Sequence, residues 1–319
     1  MTTHQAWTTA QFEAQRQHLF AVAYRMLGSR ADAEDAVQDA WLRLNGGAPG
    51  TIVDLRGWLT TVVGRICLDM LRSRRVRREN HQGTWLPEPL VVTDAQDGPE
   101  QQAELSDAVG MALLVVLETL TPAERLAFVL HDVFAVPFEE IGAILDRTPA
   151  TARQLASRAR RRVRGAPTAT QTDPARQREV VTAFLAAARG GDFHALLDIL
   201  HPDVVFRIDI GSRPMPIPLP GLISGREAVA RHAATVGPRF AQLCHPALVN
   251  GAAGIIARGP DGVIAVAGMT VVDATVVEIN LILDPVKLDA VEPREQPEQP
   301  EQPDPHMPTG APERGGATQ

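Results

Sequence analysis

Apolar positions recur three and four residues apart through the first 80 residues. Phe12, Leu19, Phe20, Ala23 and Leu27 share one helical face, and Gly28 follows as a stop signal. Ser29 stands three residues before Asp32, a capping-box-like start for a second helix reaching about Leu44. The loop NGGAPGTIVDLR comes next, and Gly57 to Arg78 reads as a third long helix. Residues 81–106, with WLPEP and DGPEQ, read as an acidic, proline-rich linker. Helices resume near Leu105. Thr121-Pro122-Ala123-Glu124 combines an N-cap, a proline at the first helical position and a Glu three residues after the cap, predicting a helix to about Phe134. A short helix from Phe138 to Leu145, the turn Asp146-Arg147-Thr148 and a helix from Pro149 to about Arg164 form a helix-turn-helix plan.

After the linker GAPTATQTDP the texture changes. One or two helices between Ala175 and Leu200 lead into Val- and Ile-rich segments bounded by Gly, Asp and Pro. These predict strands over Val204–Ile210, Leu243–Asn250, Ala253–Arg258, Val263–Val272 and Thr275–Leu283. Helices followed by consecutive strands make an α+β domain. The pattern assigns no element between Ile210 and Leu243. From Glu295 an EQP repeat begins a tail with no apolar face, for which disorder is expected. The expected order is a helical domain over 1–80, a linker over 81–106, a helix-turn-helix domain over 107–165, a linker over 166–174, an α+β domain over 175–290 and a tail over 291–319.

Composition sharpens this division. The 319 residues carry 31 Lys+Arg against 38 Asp+Glu, a formal net charge of −7. The acidic mean hides two basic clusters, five Arg between Arg72 and Arg78 and seven between Arg147 and Arg164, the second without an acid. Two local clusters in an acidic chain point to two separate polyanion contacts. Only one lysine occurs, Lys287. Cys67 and Cys244 belong to no metal-type cluster, so neither a disulfide scaffold nor a cysteine zinc site is expected, and no metal or cofactor is called for. No apolar run approaches the ~18 residues of a membrane span and the N-terminus has no signal-peptide pattern, so a cytoplasmic protein without membrane contact is expected.

Three helical faces carry candidate chemistry. On the second helix Ala33, Ala36, Val37, Ala40, Trp41 and Leu44 form an apolar face. The other side presents Asp32, Asp35, Gln38, Asp39 and Leu42, a leucine set among acids that suits docking on a basic partner. The helix from Pro149 places Ala152, Leu155, Ala156, Ala159 and Val163 inside, with Ala150, Gln154, Ser157, Arg158 and Arg161 opposite. Small and amide groups near its start fit base edges, and the later arginines reach bases or phosphates. At 1.5 Å per residue it is about 24 Å long, enough to lie in a major groove. The helix from Gly57 combines Trp58, Arg65, Arg72, Arg74 and Arg75 after a Gly-rich loop, aromatic and basic groups that suit unstacked bases of single-stranded DNA.

These residues resemble a known family. Asp32 to Leu44, DAEDAVQDAWLRL, resembles the polymerase-binding region 2 of extracytoplasmic-function sigma factors of the sigma-70 family, and Thr121 to Arg164 looks like their region 4. WLPEP at 85–89 and RQLASRARR at 153–161 resemble the SigJ-type subgroup, which carries a SnoaL-like C-terminal extension. The strand-rich 175–288 is similar to that extension, including Asn250-Gly251 and Asp284-Pro285-Val286-Lys287-Leu288, a variant of its NPDKL motif. The resemblance implies two all-α sigma domains followed by an α+β cone of the nuclear-transport-factor-2-like type. It implies docking of Asp32, Glu34, Asp35, Gln38, Asp39 and Leu42 on the clamp helices of the polymerase β′ subunit, with region 4 near the β flap. The −10 element would meet Arg56, Trp58, Arg65, Arg72, Arg74 and Arg75. The −35 element would meet Thr148, Ala150, Thr151, Arg153, Gln154, Ser157, Arg158 and Arg161. Asp284, Pro285, Lys287 and Leu288 would touch the sigma core.

The chain also departs from the pattern. Asp146 stands in the turn where the family usually has Gly, the glycine-rich segment after the first extension strand is replaced by Ile210 to Pro220, and Val286 replaces an acid. Two other functions compete. SnoaL-like cones also serve as isomerases and hydrolases, with Arg207, Asp209, His232 and His245 as candidates for acid–base work, but GxxxxGK[ST], HExxH and GxSxG are absent. A one-component repressor with a ligand-sensing cone would explain the helix-turn-helix but leave the Asp32–Leu44 face and the Trp58/Arg72–Arg78 helix without a role. A sigma factor whose extension acts in cis, without catalysis, is the expected function; a ligand for the cone is left open.

Overall fold

The computed structural model describes residues 3–46, 54–78, 84–92, 110–164, 173–211 and 219–291. Helices α1 (Thr3–Leu27), α2 (Arg30–Gly46) and α3 (Leu55–Arg78) pack on one another. Gly28 ends α1 at φ +66°, and a Cβ there would stand 3.3 Å from the Trp85 ring and 3.4 Å from Pro87. Left-handed backbone and a close neighbour together call for glycine. Ser29 Oγ accepts from Asp32 N at 3.3 Å, which realises the start signal of α2. Ala33, Ala36, Val37, Ala40 and Leu44 are buried, as their spacing predicts.

The second helical unit contains α4 (Met111–Glu118), α5 (Pro122–Phe128), α6 (Phe138–Leu145) and α7 (Pro149–Val163). The capping box of α5 is complete: Glu124 N donates to Thr121 Oγ1 at 3.3 Å and Thr121 N donates to Glu124 Oε2 at 3.1 Å. Burial opposes ionisation of Glu124, but the Thr121 bonds and the nearby Arg162 hold its carboxyl below the usual range. The helix expected to run to Phe134 turns into a π-helical stretch at Val129–Val133. Asp146 closes α6 in left-handed backbone, at φ 53° and ψ 47°, a conformation that glycine adopts with least strain. Thr148 caps α7, accepting from Thr151 N at 3.2 Å, with Pro149 in the first turn.

The two helical units share one hydrophobic core, in which Leu19, Met26, Leu59, Leu68, Leu126, Leu130 and Ile141 have no more than traces of exposure. A buried arginine joins them. Arg125 donates to Met26 O at 2.9 Å and Leu117 O at 2.8 Å, and pairs with Glu118 at 2.7 Å.

The C-terminal domain is the expected α+β cone. Helices α8 (Pro174–Gly190) and α9 (Phe193–Ile199) precede β2 (Leu200–Asp209), β3 (Leu222–Ser224), α10 (Arg226–Phe240), β4 (Cys244–Val249), β5 (Ala252–Gly259), β6 (Gly262–Val272), β7 (Thr275–Ile282) and α11 (Pro285–Asp289). With Val91–Val92 as β1, the sheet order is β1-β4-β5-β6-β7-β2-β3, with β2 and β7 parallel and the other pairs antiparallel. Val204, Phe206, Ile208, Ile255, Met269 and Ile279 face the helices, and Val249, Ile256, Val266 and Ile282 face the other way. Asn250 and Gly251 turn β4 into β5 with positive φ at both residues, the hairpin chemistry of an Asn-Gly pair. The hydrophobic pattern missed β3 and α10. Gly237 and Pro238 lie within α10, and both normally read as helix breakers. Gly237 is required there because a Cβ would stand 2.3 Å from Ala188 O.

The largest departure from the sequence reading is the stretch taken as a linker. Over residues 84–92 it is a bonded strap, and its last two residues form β1 (Val91–Val92), which extends the sheet beside β4. The helix restart near Leu105 and the segment after Gly211 to 218 lie outside the described residues, as do the linker at 165–172 and the tail after 291.

Candidate polymerase and nucleic-acid interfaces

Helix α2 turns its acidic side to solvent. Glu34, Asp35, Gln38, Asp39 and Leu42 are exposed and Asp32 is half-buried; Leu42 keeps 59% of its surface exposed while Leu44 is buried. Glu34 is engaged by Arg30 at 3.0 Å. The result is one exposed apolar side chain ringed by carboxylates on a rigid helix.

On α7 the face expected to meet duplex DNA is open. Thr148, Ala150, Arg153, Gln154, Ser157, Arg158 and Arg161 are exposed and Thr151 is half-buried, while Ala152, Ala156 and Ala159 are buried. The helix is anchored from its other side, where Arg160 pairs with Asp132 at 2.7 Å and Arg162 with Glu124 at 2.8 Å. Arg153 lies over the Phe138 ring, its guanidinium carbon 5.2 Å from the centroid. The basic side chains are therefore divided between holding the motif together and facing outward.

Helix α3 is different. Arg56 is exposed and lies 3.1 Å from His18 Nδ1, while Trp58 is half-buried against the helical core. Arg65 is exposed and pairs with Asp146 of the helix-turn-helix turn at 3.6 Å, and Arg72 pairs with Asp69 at 3.5 Å. Next to Arg65, Gly64 sits under the second helical unit: a Cβ there would stand 3.1 Å from Leu130 Cδ1 and 3.6 Å from Leu126 Cδ1. The side chains of Arg74 and Arg75 lie outside the described residues.

The strap connects all three parts. On one side, Glu88 N donates to Gly28 O at 2.8 Å, Arg30 N donates to the Glu88 carboxylate at 2.6 Å, and Tyr24 OH donates to Glu88 O at 2.5 Å. On the other side, Leu86 N donates to Asp209 Oδ2 at 2.8 Å, Thr84 Oγ1 to Gly221 O at 3.0 Å, and Asn250 N to Leu90 O at 2.7 Å. Asn250 Nδ2 also donates to Tyr24 OH at 2.7 Å, so one buried phenol joins α1, the strap and the β4–β5 hairpin.

Lys287 belongs to this junction. Asp284 caps α11, its side chain accepting from Val286 N at 3.1 Å, and Pro285 starts the helix. That geometry turns Lys287 and Leu288 inward and leaves Val286 exposed. Lys287 Nζ pairs with Asp209 at 2.6 Å, donates to Leu86 O and lies 4.3 Å from the Trp85 ring centroid. Leu288 packs with Leu86, Met111, Val249 and Ile282. The sequence marked this segment and the WLPEP motif separately; nothing in their spacing said that the two touch.

The four residues considered for acid–base work are not brought together. Asp209 is consumed by Lys287 and Leu86, and Arg207 pairs with Glu278 at 2.6 Å. Both project from the face of β2 opposite Phe206 and Ile208. His232 packs on Phe206 on the helix side, where burial lowers its pKa. His245 is exposed on β4, four strands from β2 in the sheet, roughly 19 Å at ~4.8 Å per strand. Among the described residues no cluster of His, Cys, Asp and Glu is placed to hold a metal ion, and no helix is long and apolar enough to cross a membrane.

Comparison with known proteins agrees with this layout. Residues 12–77 match Sigma-70 region 2 and residues 110–163 match Sigma-70, region 4. The chain is 45% identical over 262 residues to the ECF RNA polymerase sigma factor SigJ of Mycobacterium tuberculosis, covering 80% of this chain and 82% of that one. It is 40% identical over 203 residues to the probable ECF RNA polymerase sigma factor SigI of the same species, covering 63% and 69%. The crystal structure of M. tuberculosis SigJ superposes with a TM-score of 0.72 at 40% identity, covering 90% of this chain and 100% of that one. The chain therefore belongs to the extracytoplasmic-function RNA polymerase sigma factors of the sigma-70 family.

Proposed function

We propose that this sigma factor docks on core RNA polymerase through α2, reads the −35 element with α7 and captures unpaired −10 bases with α3 and the loop before it. The observation that carries the reading is the α2 face, where Leu42 stands exposed among Asp35, Gln38 and Asp39 on a helix whose other side is buried. An apolar centre ringed by charge suits the basic clamp helices of β′, and region 4 would sit near the β flap. Binding energy for unstacked bases drives melting, so the chain makes no bond itself. Asp35→Arg with Asp39→Arg tests the docking: co-elution with core polymerase and run-off transcription should be lost while the circular dichroism spectrum is unchanged. Retained co-elution would overturn the assignment.

The C-terminal domain is proposed to act in cis, without catalysis. Its candidate acid–base groups are tied into ion pairs or far apart, whereas Asp209, Asn250 and Lys287 grip the strap. The grip restricts reach. A −35 to −10 separation of about 25 base pairs is about 85 Å at 3.4 Å each. The 32 residues between Arg78 and Met111 could span about 105 Å when extended. With the strap held on Gly28 and Arg30, only the 18 residues from 93 to 110 remain to separate the regions, about 60 Å. A seated strap therefore shortens the reach left for engaging both elements at once. This regulation would operate where the polymerase is, in the cytoplasm.

A further inference from the structure

Cone and region 2 grip the strap at alternate residues. The cone holds the backbone of Leu86 through Asp209 and Lys287. It holds Leu90 through Asn250, whose N donates to Leu90 O and whose Oδ1 accepts from Leu90 N at 3.3 Å. Between them Glu88 faces the other way: its N donates to Gly28 O and its carbonyl accepts from Tyr24 OH. The backbone of Glu88 thus seats the residue, which leaves its side chain for a different role. That carboxylate reaches the first turn of α2 and accepts from Arg30 N at 2.6 Å, at the protein surface. Ser29 already caps the same turn with a neutral oxygen, accepting from Asp32 N; Glu88 brings a full negative charge. We infer that the strap completes the polymerase-docking surface: Glu88 continues the acidic face of α2 past its first turn, so that α2 and the seated strap meet the core together. This deepens the proposed function and rests on its assignment of α2.

Arg30 explains why a carboxylate is placed there. It is the only base between Gly28 and Leu42, and it is exposed at the end of a face that docks on a basic partner. Glu34 pairs with its guanidinium at 3.0 Å, which spends one of the acids of that face. Glu88 returns a negative charge to the same turn and is continuous with the docking residues through Arg30 and Glu34. Because the cone holds the strap on both sides of Glu88, displacing residues 86–90 withdraws this carboxylate and weakens docking. A seated strap thus favours loading on the core, and a released one leaves more reach at the promoter.

The test titrates the full chain, carrying a fluorescent label at its N-terminus, with core RNA polymerase at low and high salt. Glu88→Gln keeps an oxygen that can accept from Arg30 N and removes the charge; Glu88→Ala removes both. Each should weaken core binding about 2–5-fold at low salt, the range of an exposed charge at an interface rim. The difference from wild type should shrink at high salt, where such charges are screened. The urea midpoint of Glu88→Gln should stay near that of wild type, since the backbone bonds that seat the strap remain. Lys287→Met with Asp209→Leu, which frees the strap, should lower core affinity by a similar factor, and adding Glu88→Gln should then change little. Wild-type core affinity in both Glu88 variants, with Asp35→Arg and Asp39→Arg still abolishing binding, would overturn the inference and leave α2 as the docking helix. A lowered midpoint with unchanged core affinity would also overturn it, as a capping role alone. An undiminished Glu88→Gln effect in the freed background would overturn the dependence on strap seating. Intact binding by Asp35→Arg with Asp39→Arg would remove the assignment of α2, and the inference with it.

Discussion

The ammonium of Lys287 and the carboxylate of Asp209 lie 2.6 Å apart, with side-chain exposures of 7% and 1%. The same ammonium donates to Leu86 O, and the same carboxylate accepts from Leu86 N. One ion pair therefore clasps both polar groups of a single strap residue. Paired this way, two buried charges avoid the penalty each would meet alone.

Removing one partner should be costly. Lys287→Ala leaves Asp209 charged and buried, with an expected loss of about 3–5 kcal/mol in urea unfolding. Lys287→Met with Asp209→Leu should recover most of that loss, because no charge is then stranded. Under the proposed regulation, the double variant frees the strap without a buried charge and should raise run-off transcription with core polymerase. Transcription at or below the wild-type level from a stably folded double variant would count against regulation through the strap.

Tyr24 offers a smaller and cleaner perturbation. Tyr24→Phe keeps the ring and removes the hydroxyl that donates to Glu88 O and accepts from Asn250. A buried amide and a half-buried carbonyl lose their partner, so a loss of about 1–3 kcal/mol is expected in denaturant titration. A midpoint unchanged from wild type would mean that the three-way junction adds nothing to stability.

His18 sets an acid-side limit. Burial first, then Arg56 and Arg25, lower its pKa to about 4 from the ordinary 6.5. The unfolded chain then binds a proton in a range where the folded chain does not. Stability from neutral His18 is complete above pH 6.5 and is lost as pH falls from 6.5 toward 4, where the loss levels off. Comparing urea midpoints at pH 7.5 and 5 in wild type and His18→Gln would check this: the wild type should lose more. Equal losses would place the acid sensitivity elsewhere.

Promoter reading should depend on exposed positions of α7. Gln154→Ala is expected to cost about 1–3 kcal/mol at one −35 position and relax the sequence preference there. Arg161→Ala should weaken binding to all duplex sequences alike if it meets phosphate, and flatten the salt dependence. Titrations against a set of single-base promoter variants at two salt concentrations would separate these outcomes.

Much of the fold was legible because its signals are local. Thr121 and Glu124, three residues apart, meet as a capping box, and Ser29 and Asp32 meet at the start of α2. Ala33, Ala36, Val37, Ala40 and Leu44 fall inside because helical spacing leaves them nowhere else. Leu42 among acids and the exposed face of α7 were readable from the same wheel. Helix α10 was not, since Gly237 is explained only by the Ala188 carbonyl against it.

What the sequence by itself determined are the elements, their order, and the side of each helix that seeks solvent, all consequences of residues within a few positions of one another. Tertiary structure alone decided the pairings across long separations. A strap that reads as polar linker is seated because Asp209, Asn250 and Lys287, more than 120 residues away, satisfy its backbone. Asp146, an awkward residue for a turn, gains a partner only when α3 lies beside it. No periodicity encodes such contacts, because they depend on where separate elements come to rest, and that is set by packing of the whole core.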